Sequence, residues 1–241
     1  MNTQFGTDDQ LAYTFSQQSY KDPTKRTSVG DWAYDPSLSN IDTGVWHNKK
    51  TKTSHVSNRG SQSLYDWTVS DGQIATGTEK RGKRFKRAVD TTRKAHDKYG
   101  YNVQTSGHSL GARVSAVATE ELGNEDWYQG GTGFNQGNSS VANYFSKSRK
   151  ECKSKNPPAY CAKQKNYKQE GDYVSQKNVA CDILTFGFGS CAKSDPFGTT
   201  TTFNHPNRNR WIHQLTTNRI TPLRMFSNAQ THSLDTFAPK S

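Results

Sequence analysis

The pentapeptide Gly107-His108-Ser109-Leu110-Gly111 constrains this chain more than any other stretch, because it lies between a strand pattern and a helix pattern. Upstream, Tyr101 to Ser106 reads as a short strand with Val103 pointing inward. Downstream, Ala112 to Leu122 reads as a helix that Gly123 ends. A serine that turns the chain from strand into helix within one residue is forced into a strained backbone geometry, and flanking glycines let strand and helix approach without Cβ clashes. The hydroxyl is then presented at a helix N-terminus, where the next N–H and the helix dipole face developing negative charge. A Gly-x-Ser-x-Gly match alone carries little weight, since chance supplies one in about ten chains of this length. Its place between strand and helix gives it force.

The surrounding pattern alternates in the same way. Leu11, Phe15 and Ser19 recur at helical spacing in an opening helix that stops near Asp22-Pro23. Gly44 to His47 and Thr53 to Ser57 read as two strands joined by the polar turn Asn48-Lys49-Lys50. Lys80 to Tyr99 places Phe85, Ala88, Val89, Ala95 and Tyr99 on one helical face, with Arg81, Lys83, Arg84 and Arg87 around the others and Gly100 as C-cap. Asn124 to Asn178 is polar, rich in Gly and Ser and then in Lys, without a clear period. It reads as an insertion of irregular structure after the serine's helix. Val179 to Gly187 returns to a strand pattern, and Trp211 to Leu215 is a further strand candidate.

A chain of 241 residues suffices for one core, so residues 1–241 are expected to form a single domain. That core must be lean, with 30% hydrophobic residues, although aromatics at 11% offset this through the area each ring buries. The formal net charge of +11 favours polyanionic neighbours such as an anionic membrane surface or nucleic acid. The absence of zinc-finger spacing, an RNP-like aromatic pattern and a basic zipper argues against specific nucleic-acid reading. No stretch approaches the roughly 20 apolar residues that span a bilayer, and Met1 to Lys21 lacks the apolar run of a secretory signal, so a soluble chain of open localisation is expected. None of Cys152, Cys161, Cys181 and Cys191 forms a CxxC pair, which argues against a zinc or redox site. Cys152 and Cys161 flank Asn156-Pro157-Pro158, where a local disulfide and free buried thiols both stay open.

From Arg59 onward, outside the 124–178 insertion, the chain resembles the class 3 lipase family, which includes triacylglycerol lipases and phospholipases. The resemblance rests on Arg59-Gly60-Ser61 followed by Asp66-Trp67 and Asp71, on Thr105-Ser106 with the pentapeptide, on Thr185-Phe186-Gly187, and on His232-Ser233-Leu234. Order and distances agree as well as the letters, and the similarity is greatest to compact versions in algal viruses and other microbes. It implies an α/β-hydrolase fold, with a mostly parallel central sheet and flanking helices, acting on carboxylic and above all lipid esters without metal or cofactor. It further implies Ser109 as nucleophile, Ser61 and Leu110 as oxyanion donors, His232 as base, and a lid over residues 62–75 with Leu64, Tyr65 and Trp67 as its apolar residues.

The family's aspartate position maps onto Asn218, with Asp195 on a neighbouring loop as the fallback acid; Asp235 is too close to His232 in sequence. An asparagine can orient an imidazole but cannot stabilise imidazolium by charge. Ala112 stands where a second glycine is usual, and Phe188-Gly189-Ser190 replaces Ser-Pro-Arg. His108 is expected to point away from the Ser109 side chain and to be structural; His47, His55, His96, His205 and His213 have no motif support. Two functions follow. One is a serine hydrolase working through an acyl-enzyme on Ser109. The other is a catalytically impaired protein of the same fold, with a binding or structural role in a larger assembly or virus particle.

Overall fold

The computed structural model describes residues 6–61, 82–137, 147–169 and 196–203. Its elements are α1 (Thr7–Ser19), β1 (Ala33–Tyr34), β2 (Thr43–Asn48), β3 (Thr53–Asn58), α2 (Lys83–Tyr99), β4 (Asn102–His108), α3 (Leu110–Leu122), β5 (Tyr128–Phe134), α4 (Lys147–Cys152), β6 (Gln164–Gln169) and β7 (Thr199–Phe203). Short 3-10 turns cover Pro23–Lys25 and Ala159–Lys163. The described strands form one sheet in sequential order, β1 to β7. β1, β2 and β3 pair antiparallel, and β3 through β7 run parallel. This mostly parallel sheet flanked by helices fits the α/β-hydrolase fold that the family resemblance implied.

Alternate residues of each strand face opposite helices, and this divides the core in two. On one face Val45, Val56, Ala95 and Val103 cluster beneath α2, and Phe85 and Ala88 of α2 meet Leu110, Val114 and Val117 of α3. On the other face α1 lays Phe15 on His55, ring centroids 4.6 Å apart, while Ser16 Oγ donates to Ser106 Oγ at 3.1 Å. The leanness of the composition has a structural counterpart in buried hydrogen-bond chains that stand where aliphatic packing is usual. Tyr128 Oη joins Thr105 Oγ1 (2.7 Å) to Thr119 Oγ1 (2.9 Å), which donates to Gln164 Oε1 (2.8 Å). Because each of these hydroxyls and the Gln164 oxygen has a partner, the desolvation cost of about 1–3 kcal/mol per group is avoided along this chain.

Most sequence-derived elements occur at nearly their expected bounds. α1 ends before Asp22-Pro23, the hairpin turns over residues 49–52, one residue later than expected, and Gly100 caps α2 at φ +63° with its N–H on His96 O. The expectation of irregular structure over 124–178 is corrected. β5, α4 and β6 all fall in that range, and both strands belong to the sheet. Periodicity hid β5 because α3 presses on it: a Cβ on Gly131 would lie 2.6 Å from Thr119 Oγ1 and from Gln164 Oε1, so the inward position carries no side chain. It hid β6 because Gln164 and Asn166 are buried through hydrogen bonds, not through apolarity. Cys152 and Cys161 form a disulfide that packs with Ala116, Tyr160 and Phe197. Cys181, Cys191 and the strands expected at 179–187 and 211–215 lie outside the described residues. No helix among the described residues is long and apolar enough to cross a membrane.

His55 makes the fold acid-sensitive. Burial between α1 and the sheet pushes its pKa down to about 3, and its Nε2 bonds Ser106 Oγ at 2.8 Å. The unfolded chain then binds this proton from about pH 6.5 downward while the folded chain does not, so stability falls as pH drops from 6.5 to 3, by up to about 1.4 kcal/mol per unit. Asp35 acts lower. Burial alone would raise its pKa, but hydrogen bonds from Lys98, Tyr99 and Ser37 prevail and hold it well below the usual carboxylate range, so its contribution goes only below about pH 4. Urea denaturation at pH 7, 5.5 and 4.5 should show the His55 slope in the wild type and lose it in His55→Gln; equal slopes in both would refute the assignment.

Candidate functional site

β4 ends at His108 and α3 begins at Leu110, so Ser109 alone makes the turn, at φ 57° and ψ −122°. A non-glycine residue held at positive φ costs on the order of 1–3 kcal/mol and persists only where its surroundings enforce it. The enforcement here is steric. A Cβ on Gly107 would overlap the Gly111 carbonyl, and one on Gly111 would overlap Asn58 O and lie 2.8 Å from the Arg59 carbonyl. The strand and the helix start therefore touch backbone to backbone. The Ser109 N–H donates to Phe134 O at 3.0 Å, and Ser109 O accepts from Ala112, Arg113 and Gly137 N–H at 3.1 to 3.3 Å. Ser109 is buried, and the N–H groups of Leu110 and Gly111 open the helix, where no intrahelical acceptor exists for them.

Arg59-Gly60-Ser61 leaves β3 against this turn, because β3 and β4 run in parallel register with Asn58 opposite Gly107. A Cβ on Gly60 would lie 2.8 Å from His108 O, so the two strand ends are in contact. Arg84 donates to the Arg59 carbonyl, and Asp42 lies within ion-pair distance of Arg59, Arg84 and Arg87 at 3.4, 3.9 and 3.3 Å. This segment thus reaches the serine turn with its backbone braced from α2. Ser61 Oγ is buried and has no hydrogen-bond partner among the described residues. An unsatisfied buried hydroxyl is uncommon, and a ligand oxygen would satisfy it.

His108 faces α1, on the opposite side of β4 from Gly107, and its Nδ1 lies 2.7 Å from Tyr20 Oη. The structural role expected for it agrees with that bond. His55 is buried under α1, His96 bonds Tyr101 O at 2.8 Å and stacks on Trp127, and His47 packs on Tyr99. His205, His213, His232, Asn218, Asp195, Asp235 and the lid residues Leu64, Tyr65 and Trp67 lie outside the described residues. Of the expected site residues the structure describes Ser109, Leu110 and Ser61, and it sets the Arg59-Gly60 backbone against His108 and Gly111 on either side of Ser109 and Leu110. Sequence reasoning missed Tyr20, Asn135 and Gly137. Asn135, at φ 43°, turns the chain after β5 so that Gly137 meets Ser109 O, and only its position two residues before a glycine hinted at a turn. Tyr20, 88 residues from His108, gave no signal. Among the described residues no group of three or more His, Cys, Asp or Glu could hold a metal ion.

No family model and no curated protein matches the chain. Among solved structures it is similar to a triacylglycerol lipase from Penicillium expansum, at 15% identity and a TM-score of 0.50 over 83% of this chain and 79% of that one. It is also similar to Rhizomucor miehei triacylglyceride lipase, at 15% identity and a TM-score of 0.44 over 97% and 94% of the two chains. For the Rhizomucor miehei lipase propeptide complex the values are 16% and 0.41, over 70% of this chain and 63% of that one. The structural neighbours are thus fungal class 3 lipases at low identity. The Penicillium likeness, together with the sheet order, carries the fold and nothing finer.

Proposed function

We propose that the chain is a serine hydrolase that cleaves carboxylic esters, lipid esters foremost, through an acyl-enzyme on Ser109. The observation that carries the reading is the strained Ser109 turn, flanked by two glycines that tolerate no side chain and aimed from the N-terminus of α3. Few purposes other than presenting a hydroxyl reward such strain. Ser109 Oγ attacks the ester carbonyl, and the new oxyanion takes hydrogen bonds from the N–H groups of Leu110 and Ser61 and from the otherwise unsatisfied Ser61 hydroxyl. In this reading His232 accepts the Ser109 proton and passes it to the leaving alkoxide, after which water, deprotonated by the same imidazole, releases the acid.

Asn218 orients His232 in this scheme, with Asp195 as the alternative partner. The lid residues Leu64, Tyr65 and Trp67 meet the acyl chain. Positive charge over the surface favours anionic phospholipid interfaces. The likeness to a Penicillium triacylglycerol lipase agrees with lipid esters as the substrate class. The test is covalent. Incubation with a fluorophosphonate should add one phosphonyl group to the intact protein, and peptide mapping should find it on Ser109. An unlabelled protein, or a label elsewhere, would contradict the reading.

A further inference from the structure

Tyr20 stands just after α1, and five donor contacts from one guanidinium fix its backbone. Arg26 donates to Ser19 O and Lys21 O, on either side of Tyr20, and to Asn40 O, Ile41 O and Thr43 O at the entry to β2. The ring packs against the cluster of Ala12, Tyr13 and Phe134. Its hydroxyl meets two strand ends at once. Oη lies 2.7 Å from Nδ1 of His108, the residue before the nucleophile. A Cβ on Gly60 would fall on the same oxygen, so glycine is required there, and the Gly60 N–H approaches it as well. Burial raises the phenol's pKa, which keeps it a neutral donor. The phenol oxygen has one proton and two lone pairs, so it can bond His108 Nδ1 in either tautomer of the ring and still accept from the Gly60 N–H.

We propose that Tyr20 is a positioning residue for the oxyanion hole, its phenol oxygen fixing the distance between the Arg59–Ser61 segment and the start of α3. The inference rests on Ser109 being the nucleophile. Ser61 follows Gly60 by one residue, and Leu110 follows His108 by two. The phenol therefore holds the Gly60 backbone and the His108 ring, next to both proposed oxyanion donors, without touching substrate. Two donors must converge on one oxygen that carries full charge only in the transition state, so loosening their separation lowers kcat and leaves ground-state binding nearly unchanged.

The experiment compares wild type, Ser109→Ala, Tyr20→Phe, His108→Leu and Tyr20→Phe/His108→Leu on nitrophenyl butyrate. Tyr20→Phe should lose about 10- to 100-fold in kcat with KM within about twofold. If the phenol acts through His108, the double variant should lose little more than the worse single variant. An unchanged kcat in Tyr20→Phe, a loss expressed in KM, or additive losses in the double variant would overturn the positioning role while leaving Ser109 as nucleophile. Equal background rates in wild type and Ser109→Ala would remove the hydrolase reading and this inference together. Should Tyr20→Phe fail to fold, the nitrogen-15 shifts of the His108 ring in the wild type decide. A hydrogen-bonded Nδ1 agrees with the clamp, and an Nδ1 without a hydrogen bond refutes it.

Discussion

Ser109→Ala is expected to lose about 10⁴- to 10⁶-fold in kcat on nitrophenyl esters, the scale on which serine hydrolases depend on their nucleophile. If Ser109 is the proposed nucleophile, removing Oγ leaves no atom to carry the acyl group, and the proposed donors at Leu110 and Ser61 would supply only the residual rate over water. The same position makes a second, independent demand on stability. Alanine at φ 57° keeps the strain of serine, whereas glycine adopts that geometry freely. Ser109→Gly should therefore be as inactive as Ser109→Ala but more stable than it by about 1–2 kcal/mol. Steady-state kinetics and urea denaturation on the two variants separate the effects. A Ser109→Gly protein no more stable than Ser109→Ala would mean that the turn is not strained.

Gly111→Ala should be the most damaging single methyl group in the described chain. The added carbon would overlap Asn58 O and lie 2.8 Å from both the carbon and oxygen of the Arg59 carbonyl. All of these are backbone atoms at the end of β3, and Arg84 and Asp42 hold that segment in place. Relief requires moving α3 away from the sheet, so a loss of about 3–5 kcal/mol or failure to fold is expected. Gly100→Ala is the control. Nothing lies within 4 Å of a Cβ there, and only the positive φ of +63° opposes it, for a cost of about 1 kcal/mol. Thermal denaturation of both variants should reproduce that order. A Gly111→Ala protein as stable as Gly100→Ala would show that strand and helix do not meet as described.

The difference between those two glycines bears on what could be read from the letters. Gly107 and Gly111 belong to a motif whose spacing announces its geometry, and the strand and helix around Ser109 follow from side-chain periodicity on either side. Residues of α2 such as Phe85, Ala88 and Ala95 recur at helical spacing and are buried as that spacing implied. β5 and β6 escaped the same reasoning, since periodicity registers apolar side chains and these strands are buried through glycine and hydrogen-bonded amides. Asn135 and Tyr20 were invisible for a related reason: each matters through contacts with residues distant in the chain, and no local pattern encodes that.

By itself, the sequence determined the strands and helices whose apolar periodicity is strong, and the turn that isolates Ser109. All of these are properties of neighbours along the chain, where steric rules and periodicity act within a few residues. Only the tertiary structure decided that the Ser61 hydroxyl is buried without a partner among the described residues, that Gly131 must lack a side chain, and that the phenol oxygen of Tyr20, just after α1, meets both strand ends. Those facts depend on which surfaces are pressed together after folding. Contacts between residues distant along the chain are set by the packing of whole elements, and close packing leaves each of them little freedom to differ.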